Sequence, residues 1–185
     1  MLDRLWDRRS FLKASIFGAT LLFGAPSLAK SVLEDRTAEG RLSMYNLHTE
    51  EKLDVVYRDR SGGYDQGALD AIDWLLRCHY SQKTVKMDIR VIEYLNLVDK
   101  KLGGKNEIQV VSGYRSPEYN DLLFREGRGV ARNSLHTLGK AIDIRIPQVG
   151  LEILRKTALS LGYGGVGYYP KSGFIHLDSG RFRVW

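Results

Sequence analysis

The sequence predicts an α+β domain with a small, mostly antiparallel sheet flanked by helices. Three observations point there. Apolar and polar residues alternate over several short runs, other segments repeat apolar residues at helical spacing, and the two kinds are interspersed without a strict strand-helix alternation. The chain has 185 residues, 43% hydrophobic and 27% charged, enough for the core of one ordinary globular domain and too apolar for disorder over most of its length.

Residues 1–29 are read as an export signal. Asp7-Arg8-Arg9-Ser10-Phe11-Leu12-Lys13 forms a basic head and an apolar stretch runs from Ala14 to Ala25. Ser27-Leu28-Ala29 then puts small residues one and three positions before a cut at Lys30. Twelve residues fall short of the ~20 that a bilayer span needs, so no stable membrane insertion is expected after cleavage. The adjacent arginines followed by Phe-Leu-Lys are similar to a twin-arginine signal, read by a receptor that exports folded proteins, and the implied compartment is the bacterial periplasm. No Cys follows the apolar stretch, so no lipid anchor is expected. Residues 30–185 then form a single domain, expected to be a monomer.

Within that domain Leu42, Met44 and Asn46 alternate with Ser43, Tyr45 and Leu47. A polar turn from His48 to Lys52 and a second run from Leu53 to Tyr57 complete a hairpin. Past the break at Gly62-Gly63, Leu69, Ile72, Leu75 and Leu76 recur at helical spacing. So do Ile89, Ile92, Leu95 and Val98, in a helix closed by Gly103-Gly104. Residues 108–111 read as a buried strand leading through a turn into a helix begun by Pro117. Residues 127–133 form a Gly- and Arg-rich loop. Residues 141–146 predict a half-buried strand with Asp143 opposite its isoleucines. Residues 151–161 are a further helix ended by Gly162, and strands at 165–169 and 174–178 flank the turn 170–173.

Composition narrows the chemistry. A lone cysteine, Cys78, excludes an intramolecular disulfide and any zinc site of paired cysteines, and reads as a small apolar residue in AIDWLLRCHY. A metal would need His and carboxylates. The formal net charge of +6 raises the question of an anionic partner. Four basic and two acidic residues fall in the signal, and the remainder is spread without a run of five Lys or Arg, so no nucleic-acid partner is expected.

Four histidines are present, and two stand in notable company: His136 in SLHTLGKAIDI and His176 in GFIHLDSG. The strand holding Asp143 can fold back to bring its carboxylate to His136, and His176 lies on a later strand that can pair beside it. Two neutral imidazoles and one carboxylate, with a fourth position for water, are the ligand set of a catalytic zinc site. On spacing alone, a core histidine hydrogen-bonded to a strand aspartate is the better reading. His48 and His79 show no ligand spacing. Ser116, Ser134 and Thr137 lie close to these residues, but an acyl-enzyme would need His136 as its base, and His136 is better employed on a metal. Tyr168 and Tyr169 are read as packing rather than as a substrate groove.

The strings VVSGYRSPEYN, GRGVARNSLHTLGKAIDI and GYGGVGYYPKSGFIHLDSG, with terminal RFRVW and the early NLHTEEKL, resemble those of the bacterial murein endopeptidase K family. That family belongs to the LAS metallopeptidases, with D-Ala-D-Ala carboxypeptidases and the hedgehog domain, and the resemblance implies their fold. It also implies that His136, Asp143 and His176 hold one zinc ion. The ion would lower the pKa of water in the open position toward ~7 and polarise the scissile carbonyl. Arg115, in the SGYR turn, matches an arginine beside the site that could take a developing oxyanion or a substrate carboxylate. Many relatives in the wider group carry a Glu three residues before the last His, or a second His two before it; this chain has Gly173 and Phe174 there. Asp178 remains, either as catalytic base or as a partner that orients an imidazole. The implied activity is zinc-dependent hydrolysis of peptide cross-links in peptidoglycan, with stem peptides as the partner. The alternatives are a carboxypeptidase trimming stem peptides and a zinc-bearing peptidoglycan-binding module without turnover.

Overall fold

The computed structural model describes residues 38–185, and the signal expected over residues 1–29 lies outside the described residues. A hairpin of β1 (Gly40–Asn46) and β2 (Lys52–Arg58) is followed by helices α1 (Gln66–Leu75) and α2 (Ile89–Lys101). Strand β3 (Glu107–Ser112) leads into α3 (Pro117–Arg125), and a 3₁₀ turn (Leu135–Leu138) precedes β4 (Ala141–Arg145). Helix α4 (Leu151–Leu161), β5 (Gly165–Tyr169), β6 (Phe174–Asp178) and the two-residue β7 (Arg183–Val184) complete the described chain.

Three of the four helices among the described residues start where a side-chain acceptor meets the first free N–H groups, and the helix that begins at Leu151 starts from Gly150 without one. Asp65, Asp88 and Ser116 cap α1, α2 and α3, and Pro117 follows its cap at a position where no helical N–H is needed. Helix α4 ends at Gly162 with φ 58°, a left-handed turn that favours glycine.

The strands form one sheet in the order β2-β1-β3-β4-β6-β5-β7. It is larger than the small sheet expected and, as expected, mostly antiparallel. The pairs β1·β2, β3·β4, β4·β6 and β5·β6 are antiparallel, whereas β1·β3 and β5·β7 are parallel. The first parallel pair arises because α1 and α2 carry the chain back to its starting edge, the kind of crossover that parallel strands require. Strand β7 is too short for alternation to announce it.

A second correction concerns β4. Its first four residues are buried on both faces because it lies centrally, between β3 and β6, so the strand is not half-buried. Alternation divides the sheet's two faces cleanly. Ile142, Ile144, Ile175, Leu177 and Val166 point to one face, where they join the core with residues of α2 and α4. Asp143, His176 and Asp178 therefore point to the other. There β5 places Gly165 opposite Asp178 and Gly167 opposite His176. A Cβ at Gly165 would strike the Asp178 carboxylate, and one at Gly167 would meet the Trp185 indole at 2.8 Å. The glycines of GYGGVGYY thus make room for the polar face. No helix among the described residues is long and apolar enough to cross a membrane.

Candidate metal centre

Three side chains from two strands and a turn converge on the polar face. Asp143 on β4 pairs directly with His176 on β6, a cross-strand position that brings side chains together. The 3₁₀ turn adds His136. Its entry is capped by Ser134, which accepts from the His136 N–H at 3.3 Å, and its exit is Gly139 at φ 65°. A Cβ on Gly139 would meet Val85 at 2.8 Å, so both conformation and packing select glycine there.

The donor atoms are His136 Nε2, Asp143 Oδ1 and His176 Nδ1. His176 Nδ1 lies 2.8 Å from Asp143 Oδ1 and 3.1 Å from His136 Nε2, and His136 Nε2 lies 3.2 Å from Asp143 Oδ1. The partners of the remaining ring nitrogens assign the tautomers. His136 Nδ1 is 2.7 Å from the Gly113 carbonyl, which only accepts, so Nδ1 carries hydrogen and Nε2 presents a lone pair. His176 Nε2 lies 3.0 Å from Asp178 Oδ2 and donates to it, leaving Nδ1 facing the cluster. Three lone-pair donors so close repel one another unless a cation or proton sits among them. Ligands at 2.0–2.1 Å from a tetrahedral zinc are about 3.3 Å apart, within a few tenths of an ångström of the triangle here. The residues fit such an ion.

The electrostatics agree with the geometry. Burial works against charging His176, but Asp143 and Asp178 outweigh it and raise its pKa. Burial likewise opposes ionisation of Asp143, and the two imidazoles hold its carboxyl well below the usual range. The site attracts positive charge.

Asp178 lies behind His176, on the ring side away from the cluster. It has no solvent exposure, and Arg183 grips both its oxygens, Nη1 to Oδ1 at 2.9 Å and Nη2 to Oδ2 at 2.8 Å. The Gly180 N–H donates to it at 2.8 Å. Despite burial, the hydrogen bond from His176, with Arg183 and the Gly180 N–H, holds its carboxyl down to about 2. Because this lies below its unfolded value, the stabilisation is present above pH ~4 and is lost as pH falls toward 2. In metal-free protein we expect Asp178→Asn to lower stability at pH 7 by about 2 kcal/mol. The acid slope of its urea midpoint should also be shallower than that of the wild type. Identical slopes between pH 4 and pH 2 would contradict this account of Asp178.

Arg115 lines the same cavity, 8% exposed, with Nη2 at 3.8 Å from Asp143 Oδ2. Its guanidinium donates to Asn120 Oδ1 and Ser112 Oγ, both at 3.3 Å. Burial lowers its pKa and Asp143 opposes the fall. The nearby hydroxyls are spent on local structure: Ser116 caps α3, Ser134 caps the 3₁₀ turn, and Thr137 Oγ1 donates to the Ser134 carbonyl at 2.7 Å. His48 and His79 stack on each other with centroids 3.8 Å apart, outside the cluster.

A cavity of about 780 Å³ opens over the three donors. Its lining includes Arg128, Arg183 and Trp185, which no motif spacing marks, together with Phe174 and Tyr169, so Tyr169 faces the cavity as well as packing. Trp185 Nε1 donates to Tyr169 Oη at 2.8 Å, and Tyr169 stacks on Phe174 at 4.7 Å. The position of Phe174 two residues before His176, on the same face of β6, was the one available signal.

A family model described as Peptidase_M15_2, Peptidoglycan L,D-endopeptidase MepK, matches residues 35–185. The chain belongs to this family. It is 39% identical over 144 residues to the peptidoglycan L,D-endopeptidase MepK of Escherichia coli, covering 78% of this chain and 79% of that protein. It is 41% identical over 145 residues to the probable peptidoglycan L,D-endopeptidase MepK of Haemophilus influenzae, covering 78% and 77%. Membership of the MepK family makes the chain a peptidase, in agreement with the resemblance of its three strings. The matched span contains every residue of the centre described above.

Proposed function

We propose that the chain is a zinc-dependent endopeptidase of the periplasm that hydrolyses L,D peptide cross-links of peptidoglycan. The observation that carries this reading is the convergence of His136, Asp143 and His176, lone pairs inward, beneath an open cavity in a chain of the MepK family. The names of its relatives support the substrate, and Arg8-Arg9 with the apolar stretch behind them supports export through the twin-arginine route. We read residues 30–185 as one domain of the hedgehog and D-Ala-D-Ala peptidase type, working as a monomer with the whole centre in one chain.

His136, Asp143 and His176 would hold the ion. When bound, zinc supplies a Lewis acid that polarises the scissile carbonyl and activates water near neutral pH. Arg115 donates to the oxygen on which negative charge develops, a role suited to a buried guanidinium pinned by two neighbours. To Asp178 we assign the orienting role of the two open to it. Accepting from Nε2, it keeps the Nδ1 lone pair of His176 turned toward the cluster, and its burial behind the ring keeps it out of the cavity. Tyr169, Phe174 and Trp185 form an aromatic wall that excludes water from one side of the substrate.

Metal analysis of the mature protein followed by digestion of purified muropeptides tests the proposal. We expect about one zinc per chain and conversion of cross-linked dimers to monomers, lost with a chelator and restored by zinc. Cleavage that persists without any metal overturns the reading. Shortened stems with intact cross-links would indicate a carboxypeptidase, and bound zinc with no product a binding module.

A further inference from the structure

Three guanidinium groups line the cavity, and two of them are committed. The fork of Arg183 is closed on Asp178, and Arg115 is buried between Asn120 and Ser112. Arg128 is different. It lies on the loop at residues 127–133, between Gly127 at φ 67° and Gly129 at φ 72°. Its side chain is 67% exposed, and its ion pair, with Glu126 at 3.3 Å, is solvated on both sides. Such a pair contributes little and is readily exchanged for another carboxylate.

The loop is nevertheless held over the site. Asn120, which takes its hydrogen bond from Arg115 through Oδ1, uses Nδ2 to hold the carbonyls of Ala131 at 3.2 Å and Arg132 at 3.1 Å. One side chain thus fixes the loop to the centre a few residues from Arg128. Among the described residues lining the cavity, Asp143 is the only carboxylate facing these three cations. Asp178 and Glu126 balance Arg183 and Arg128 from outside the lining, so the preference for an anion rests on the exchangeable pair of Arg128, whose planar fork at the rim suits a carboxylate in particular.

We propose that Arg128 binds a carboxylate of the substrate that lies off the scissile bond, making the enzyme selective for cross-linked stem peptides in which that carboxylate is free. This rests on the endopeptidase reading above. Arg128 takes no part in bond breaking; it anchors the substrate, so its effect falls on KM. Amidation removes the negative charge and half of the acceptor atoms, and with them the partner of the fork.

The test compares two purified cross-linked dimers, identical except that one carries free carboxylates beside the cross-link and the other their amides. The wild-type enzyme should show a KM about 2- to 5-fold lower for the free acid, the range set by a solvated ion pair. Arg128→Gln should raise the KM for the acid to that for the amide and keep the wild-type metal content. Arg128→Lys, which keeps the charge and loses the fork, should fall between. Equal effects of Arg128→Gln on both dimers, or no effect on either, overturns the proposal. If the wild-type protein cleaves neither dimer, the endopeptidase reading fails separately. Calorimetric binding of the intact dimers then decides for Arg128: a preference for the acid that Arg128→Gln abolishes supports it, and no preference overturns it.

Discussion

His176→Ala should cost the protein its metal and its hydrolytic activity together while leaving it folded. The imidazole is the pivot of the centre, 2.8 Å from the Asp143 carboxylate, 3.1 Å from His136 and backed by Asp178. Loss of a residue that merely orients a metal ligand lowers metal affinity 10- to 100-fold, so loss of the ligand itself should exceed about 100-fold. Activity should fall at least as far, because the remaining pair of donors does not fix the ion. The fold should survive. Asp178 keeps Arg183 and the Gly180 N–H, and the isoleucine face of the sheet lies on the other side of β4 and β6. The expected cost in the metal-free state is about 1–3 kcal/mol for the severed hydrogen bonds. Elemental analysis, circular dichroism and a dimer-cleavage assay on the same preparation check all three statements. Full zinc content with wild-type turnover would remove His176 from the centre.

Arg115→Ala is expected to lower kcat by about 10²- to 10³-fold with the metal retained, the effect of removing one preorganised donor to a developing oxyanion. The guanidinium stays charged at neutral pH even though burial lowers its pKa. Lysine should rescue little, since a single ammonium cannot hold Asn120 and Ser112 while also addressing a substrate oxygen. Arg115 also steadies the 127–133 loop through Asn120, so a purely structural role is the competing account. The kinetic split separates the two. A lowered melting temperature is expected on either account; a loss confined to kcat fits the oxyanion role, whereas a raised KM with kcat retained fits loop support alone.

Much of the fold was legible because its elements have local causes. The alternation of Leu42, Met44 and Asn46, the helical spacing from Ile89 to Val98, the Pro117 start and the Gly162 stop each act within a few residues, and each element lies where its pattern placed it. The parallel pairing of β1 with β3 was not legible, because it depends on how two helices return the chain to the sheet. Nor was the burial of β4 on both faces: its central position comes from neighbours distant in sequence, while its own alternation gives the same pattern at an edge.

Among the site residues, the three donors could be named because residue type and motif restrict them, yet their meeting depends on the cross-strand register of Asp143 with His176. The partners behind them were hidden. Nothing in the spacing says that Gly113 contributes its carbonyl to His136, or that Arg183 closes on Asp178.

Local elements and candidate ligands follow from the order of residues alone, since helix caps, turn glycines and alternation act over a few neighbours. Strand pairing and packing set which nitrogen of each histidine faces inward and which side of His176 Asp178 occupies. They also set which arginine of the cavity keeps an exchangeable partner. Those outcomes follow from hydrogen bonds between segments far apart in the chain, whose directions are set only once the strands have paired.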